Sequence, residues 1–207
     1  MKLTQTRTFR IFSEAVWTNN PINIQMLGIC SALAVTVQLR TAVVMGAAMT
    51  FVLTGSNLIV SLLRNIMPRN IRIIVELAII SSLVILCDEF LKAFMYDVSK
   101  ELSVFVGLII TNCIVLGRAE SFALSNPPHL ALVDGLGNGF GYASVLVIVG
   151  GLRELLGAGT LLGWRIIPEA AYGAGYVDMG FMRVAPAAFI IIGMLVWLQK
   201  AIARKKE

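Results

Sequence analysis

Six apolar segments, at roughly 22–39, 41–63, 71–95, 102–117, 136–157 and 182–203, take up most of this 207-residue chain. A helix that crosses a bilayer needs about 20 apolar residues at a rise of about 1.5 Å, with a range of about 17–25. The second, third, fifth and sixth segments meet that length. The first and fourth are short and carry polar residues: Asn23, Gln25 and Gly28 after Pro21 in one, Gly107, Thr111 and Asn112 in the other. Charged residues make up 14% of the chain and hydrophobic ones 57%, against about 25% charged in a soluble domain. With so little polar surface the chain has a bilayer for its solvent. The expected class is an all-α integral membrane protein. Its single membrane domain spans 22–203, after a cytoplasmic interfacial segment over 1–21 and before a short tail over 204–207. Within the first stretch Phe9, Phe12 and Val16 fall at helical spacing, as a helix lying along a membrane surface requires. No small-residue cleavage site follows the first apolar run, so no cleavable signal is expected.

Six spans divide into two sets of three, each opening with a short, interrupted segment. That layout marks membrane folds built from inverted repeats, in which broken helices meet near the midplane. It predicts six transmembrane helices in two inverted three-helix repeats, with the first and fourth broken into half-helices. The basic residues set the orientation. Arg40, Lys92, Lys100, Arg153, Arg165 and Arg183 fall on one side, and the other eleven of the 17 fall with the two termini. The excess places both termini in the cytoplasm and accounts for the net charge of +5 without a nucleic-acid partner.

Chemistry is sparse. Cys30 and Cys113 sit in the two interrupted segments, one in each half. A thiolate is a soft ligand suited to iron–sulfur clusters, zinc or copper(I). A [2Fe–2S] cluster takes four thiolates, so a pair here would need two more from a second chain. Apolar-helix cysteines are also ordinary packing residues, and the residues alone leave both readings open. Cys87 has no counterpart in the other half and reads as a core residue. Acidic residues within spans are the second signal, because a carboxylate in the membrane is costly and marks ion or proton paths. Asp88 and Asp134, read as lying towards opposite membrane faces, are candidates for such a path, alongside Glu76 and Glu89. Simpler roles compete: Glu89 is one turn from Lys92, Asp88 can lie at the interface, and Asp134 can cap the fifth helix. Arg118 and Glu120 either pair with a neighbouring subunit or stop the fourth span. The run Gly135–Gly141 opens a membrane span rather than linking a strand to a helix, so it reads as a close helix–helix contact and not as a phosphate loop. There is no nucleophile with a base beside it and no nicotinamide or flavin fold. In an enzyme, this chain serves as a carrier of electrons or ions.

Four stretches resemble a known family: NNPINIQMLGICSALAVT (19–36), RIIVELAIISSLVI (72–85), LSVFVGLIITNCIVLGRAESFA (102–123) and DGLGNGFGYASVLVIVGGLRELLGAG (134–159). They are similar to the D subunits of Na+-translocating NADH:quinone oxidoreductases, over about residues 19–197. The E subunits of Rnf complexes, which link ferredoxin and NAD, form a sister family with nearly the same cysteine motifs. The resemblance implies that Cys30 and Cys113 ligate the iron of an intramembrane [2Fe–2S] cluster shared with a pseudo-symmetric partner, the E-type subunit of the same enzyme. It further implies a complex with A-, B-, C- and F-type subunits, in which NAD, FAD and FMN are bound by other subunits. In such a complex electrons pass from NADH to ubiquinone and Na+ is moved outward across a bacterial inner membrane. The chain would be one subunit of that translocase and not catalytic alone. A secondary transporter with inert cysteines is the reading from a different functional class.

Overall fold

The computed structural model describes residues 11, 21–22, 25–94, 107–161, 164–165 and 180–204. Its helices, in chain order, are α1 (Ile29–Val35), α2 (Leu39–Leu63), α3 (Arg72–Phe94), α4 (Cys113–Arg118), α5 (Pro128–Ala158) and α6 (Ala185–Arg204). A 3-10 turn over Arg69–Ile71 leads into α3, a π turn over Ala119–Ala123 continues α4, and a 3-10 turn over Gly180–Arg183 precedes α6. The described residues are helical apart from turns and one two-residue antiparallel pairing, β1 (Thr160–Leu161) with β2 (Trp164–Arg165). The proposed interfacial segment over 1–21, except its residues 11 and 21, and the tail beyond Arg204 lie outside the described residues.

Segments two, three and six start and stop within three residues of the limits expected from hydropathy. The fifth does not. Its helix opens eight residues early, at Pro128, because Pro127 in extended conformation provides the N-cap and Pro128 occupies the first helical position, where its missing N–H costs nothing. Asp134 therefore lies inside α5 and does not cap it. At the other end Gly159 adopts φ 64 and its N–H bonds to Leu155 O, closing the helix. Of the described helices, three are long and apolar enough to cross a membrane: α2, Pro128–Gly157 of α5 and Ala185–Ile202 of α6. The 23-residue α3 has the length but carries Arg72, Glu76, Asp88, Glu89 and Lys92. The first and fourth segments are interrupted as expected. Among the described residues, helix in the first runs over α1 alone until α2 begins at Leu39, and in the fourth a helical turn over 107–110 breaks at Thr111–Asn112 before α4 starts.

The core is an antiparallel pairing of α2 with α5. Small residues set its closeness: Gly135 lies against Thr54, Gly139 against Thr50, Gly46 against Ala143 and Gly150 against Ala42. Such stripes let two helix backbones approach. Around this pair a continuous core takes in Met45, Met49 and Val52 of α2, Tyr142, Val145 and Leu146 of α5, Ala32 and Val35 of α1, Ile114 and Val115 of α4, and Ile80 of α3. The outer faces of α3 and α6 expose Ile74, Leu86 and Phe90, and Phe189, Met194 and Trp197. Faces of this kind suit acyl chains, since lipid tails are as apolar as leucine.

A side chain at Gly139 tests the α2–α5 seam. Its Cβ would lie 2.8 Å from the Thr50 Cα, a backbone atom that cannot swing away. Gly139→Val is expected to push the helices apart at a cost of about 1–3 kcal/mol. The measurement is a lowered melting temperature of the purified complex, and an unchanged value would mean the seam is loose.

Candidate functional site

The chain turns sharply twice before α1. Met26 adopts φ 53 and Gly28 φ 78, and the Leu27 N–H bonds back to Pro21 O at 2.9 Å. Gly28 is then the N-cap of α1. Its left-handed conformation favours glycine, and a Cβ there would come within 2.6 Å of the Ile114 Cδ1. Free of a side chain, Gly28 approaches α4 closely enough for its N–H to donate to the Cys113 Sγ at 3.0 Å. Cys30 follows two residues later, in the first turn of α1. Residues 85 positions apart are thus joined at the starts of two short helices, each interrupted where the sequence predicted a break.

One hydroxyl ties the two starts to the core. Ser31 Oγ donates to Gly28 O at 2.9 Å and accepts from the Asn112 Nδ2 at 2.8 Å. Its remaining lone pair takes the Tyr142 hydroxyl, 2.7 Å away. One donor and two acceptor positions are all a serine hydroxyl has, so the group is saturated. Asn112 is also the N-cap of α4, accepting from the Ile114 N–H at 3.1 Å. Ser31, Asn112 and Tyr142 are buried, whereas the neighbouring thiols of Cys30 and Cys113 are exposed. The polar knot faces inward and the two sulfurs face out of the chain. Sequence reasoning picked out the cysteines and missed the knot. The signal was present, as Ser31 directly follows Cys30 and Asn112 directly precedes Cys113.

Among the described residues no group of three or more His, Cys, Asp or Glu side chains could hold a metal ion. Cys87 lies elsewhere, half-buried against the core and lining an apolar cavity of about 630 Å³ with Ala47 and Phe51 of α2 and Phe90 of α3. Its described lining residues come from α2 and α3, as suits a packing residue.

The acidic residues are largely paired. Lys92 Nζ lies 2.7 Å from Asp88 Oδ2 and 3.0 Å from Glu89 Oε1. Arg118 forks onto Asp134, with its Nε donating to Oδ2 at 3.0 Å and its Nη2 to Oδ1. Asn138 adds a bond to Asp134 Oδ1 at 3.0 Å, and the Arg118 guanidinium stacks on Phe122 at 5.2 Å. Arg118 thus neither stops a span nor reaches for a neighbour; it fastens α4 to α5. Glu120 pairs with Arg72 at 3.4 Å. Helix register also corrects the expectation that Asp88 and Asp134 sit at opposite faces. Gly55 opposes Leu83, and Thr54 opposes Gly135, so at about 1.5 Å per residue the two carboxylates differ in depth by only about 7.5 Å.

At the far end of α5, Glu154 Oε2 accepts from the Leu39 N–H at 2.7 Å. It serves as the cap of α2 that Gln38 does not provide. The adjacent Arg153 is buried and donates to Thr36 Oγ1 at 2.6 Å, Leu33 O at 3.2 Å, Met182 O at 3.1 Å and Val184 O at 3.5 Å. Neither residue was assigned this role from sequence, where Arg153 counted only as a charge near a membrane face.

A family model described as Rnf-Nqr subunit, membrane protein, matches residues 8–196, a stretch that contains both interrupted segments, both exposed cysteines and the α2–α5 core. The chain belongs to this Rnf-Nqr family of membrane subunits, whose members work in multisubunit, redox-linked ion-transport complexes.

Proposed function

We propose that this chain is the D-type subunit of a Na+-translocating NADH:ubiquinone reductase. In this reading it carries electrons through the bilayer at a [2Fe–2S] cluster held by Cys30, Cys113 and two cysteines of the E-type subunit. The observation that carries it is the bond from the Gly28 N–H to the Cys113 Sγ, which joins the cysteine-bearing starts of α1 and α4. The donor set fits. Two soft thiol ligands face outward, where a second subunit can complete a set of four. A backbone donor is already aimed at one sulfur, and hydrogen bonds to ligating sulfur hold its negative charge and tune the potential. When bound, the cluster supplies a one-electron relay. The chain's own residues do the rest. The Ser31–Asn112–Tyr142 knot fixes where the two cysteines stand, Gly28 donates to sulfur, and Ile114, Val115 and Ala32 keep water from the inner side.

The E-type subunit is the pseudo-symmetric partner in this proposal. The A-, B-, C- and F-type subunits complete the complex and bind the NAD, FAD and FMN through which electrons enter and leave. In this proposal both termini lie in the cytoplasm of a bacterial inner membrane, an orientation the positive-inside excess supports, with Na+ moved outward. Iron analysis with electron paramagnetic resonance of the intact complex tests the assignment. Wild type and Cys87→Ala are expected to hold the same iron and the same signal, because Cys87 belongs to the α2–α3 packing. Loss of signal in Cys87→Ala would mean the ligands are misassigned.

Asp88 and Asp134 remain the proposed ion-path carboxylates. A cation reaching Asp134 must displace the Arg118 fork, and one reaching Asp88 must compete with Lys92. Asn at either position keeps shape and removes charge. At least one of Asp88→Asn and Asp134→Asn is expected to need more sodium for half-maximal turnover, with iron content unchanged. The same sodium dependence in both would place the path in other chains.

A further inference from the structure

Among the buried charged side chains Glu76 stands apart. It lies in the second turn of α3 with 0% of its surface exposed, and neither carboxylate oxygen has a hydrogen-bond partner among the described residues. Asp134, Arg153 and Glu154, buried like it, are each bonded. An ionised carboxylate without water or donor is the costliest state such a group can take, and it is relieved by a proton or by a bound cation. The charged neighbours of Glu76 are Glu120 and Arg72. Arg72, one turn back on α3, gives its Nη1 to Glu120 and leaves its own Nε buried without a partner among the described residues. Were both carboxylates ionised, one guanidinium would face two of them, and one negative charge would stay uncompensated among the described residues. Glu120, about half exposed, stands at the rim on the π turn, and π turns recur at functional sites. One turn further along α3, Ile79 packs with Val60, Ala119, Ala123 and Ala131, closing the inner side with apolar groups.

We propose that Glu76 is a cation-exchange site opening at the arginine-rich end of the helix bundle past Glu120. Its carboxyl holds a proton when empty. A small hard monovalent cation, Na+ under the ion-coupled reading on which this identity rests, takes the place of that proton. The proton leaves for water at the same end, so charge balances: carboxylic acid and Na+ become sodium carboxylate and H+. Arg72 is the positioning residue that holds Glu120 aside from Glu76.

Dicyclohexylcarbodiimide reacts with protonated carboxyls in apolar surroundings and so reads the empty form. The intact complex is treated at fixed pH in sodium chloride or in choline chloride of equal ionic strength, and the adduct on Glu76 is quantified by peptide mass spectrometry. Labelling is expected in choline, falling about tenfold at ten times the half-protecting sodium concentration. Equal labelling in the two salts, or none in either, overturns the proposal. Iron content measured in the same samples reports on the cluster, so failure of the electron-carrier reading is seen separately.

Discussion

Replacing Cys113 by alanine is expected to stop electron flow to quinone in the intact complex, by a factor of at least about 100, while NADH oxidation with an artificial acceptor continues near the wild-type rate. The two effects separate because reduction of the cytoplasmic flavin precedes the membrane step in the proposed sequence. A ligand matters more than its supports, and loss of an outer-shell partner alone costs about 10–100-fold in metal affinity or activity. Cys113 is also the acceptor for the Gly28 N–H, so alanine removes a proposed ligand and a contact that joins the two helix starts. Cys30→Ala removes the ligand but leaves that contact, and the same kinetic separation with lost iron is expected. Full quinone reduction and full iron in either variant would show that these thiols are packing residues after all.

Arg153→Met is expected to be the most damaging change away from the cysteines. Arg153 is 1% exposed, and its guanidinium serves Thr36, Leu33, Met182 and Val184 from three nitrogens. A methionine fills much of the volume but donates nothing. Each buried acceptor left unmatched costs about 1–3 kcal/mol, so with four acceptors a total loss of at least about 4 kcal/mol is expected. The measured effect is a fall in melting temperature and in the amount of this subunit recovered with the complex. Arg153→Lys retains the charge but not the planar fork, and should fall between. An Arg153→Met complex that melts like wild type would mean that the end of α1 and the turn before α6 are anchored by other contacts.

Hydropathy made much of this fold legible, because in a bilayer apolar length translates almost directly into helix length. It located α2, α3 and α6 closely, and the polar interruptions marked where α1 and α4 break. It misplaced the start of α5, since Pro127 and Pro128 extend the helix through a polar stretch that apolar counting ignores. At the site the cysteines were legible by their matching places in the two halves. Ser31, Asn112 and Tyr142 were not, because each is an ordinary residue until three separate segments converge. Charge pairing divided the same way. Glu89 with Lys92 is a contact within one helix turn and followed from spacing. Arg118 with Asp134 and Glu154 with the Leu39 N–H join different elements and needed the fold first.

Tyr142 lies within one residue of the midpoint of the 31-residue α5, and it is the hydroxyl from which the Ser31–Asn112 knot hangs. A helix of that length runs about 46 Å, longer than the roughly 30 Å hydrocarbon core, so it can cross the layer with residues to spare. The depth of both cysteines is therefore set by one uninterrupted helix and not by the short pieces that carry them. For an electron relayed between these thiols, as the proposed function has it, that ruler would fix how the insulating layer is divided into two legs. Transfer rates fall exponentially with distance, so a displacement of one helical turn, about 5.4 Å, would slow one leg by the same factor as it quickened the other, and the slowed leg would then set the overall rate.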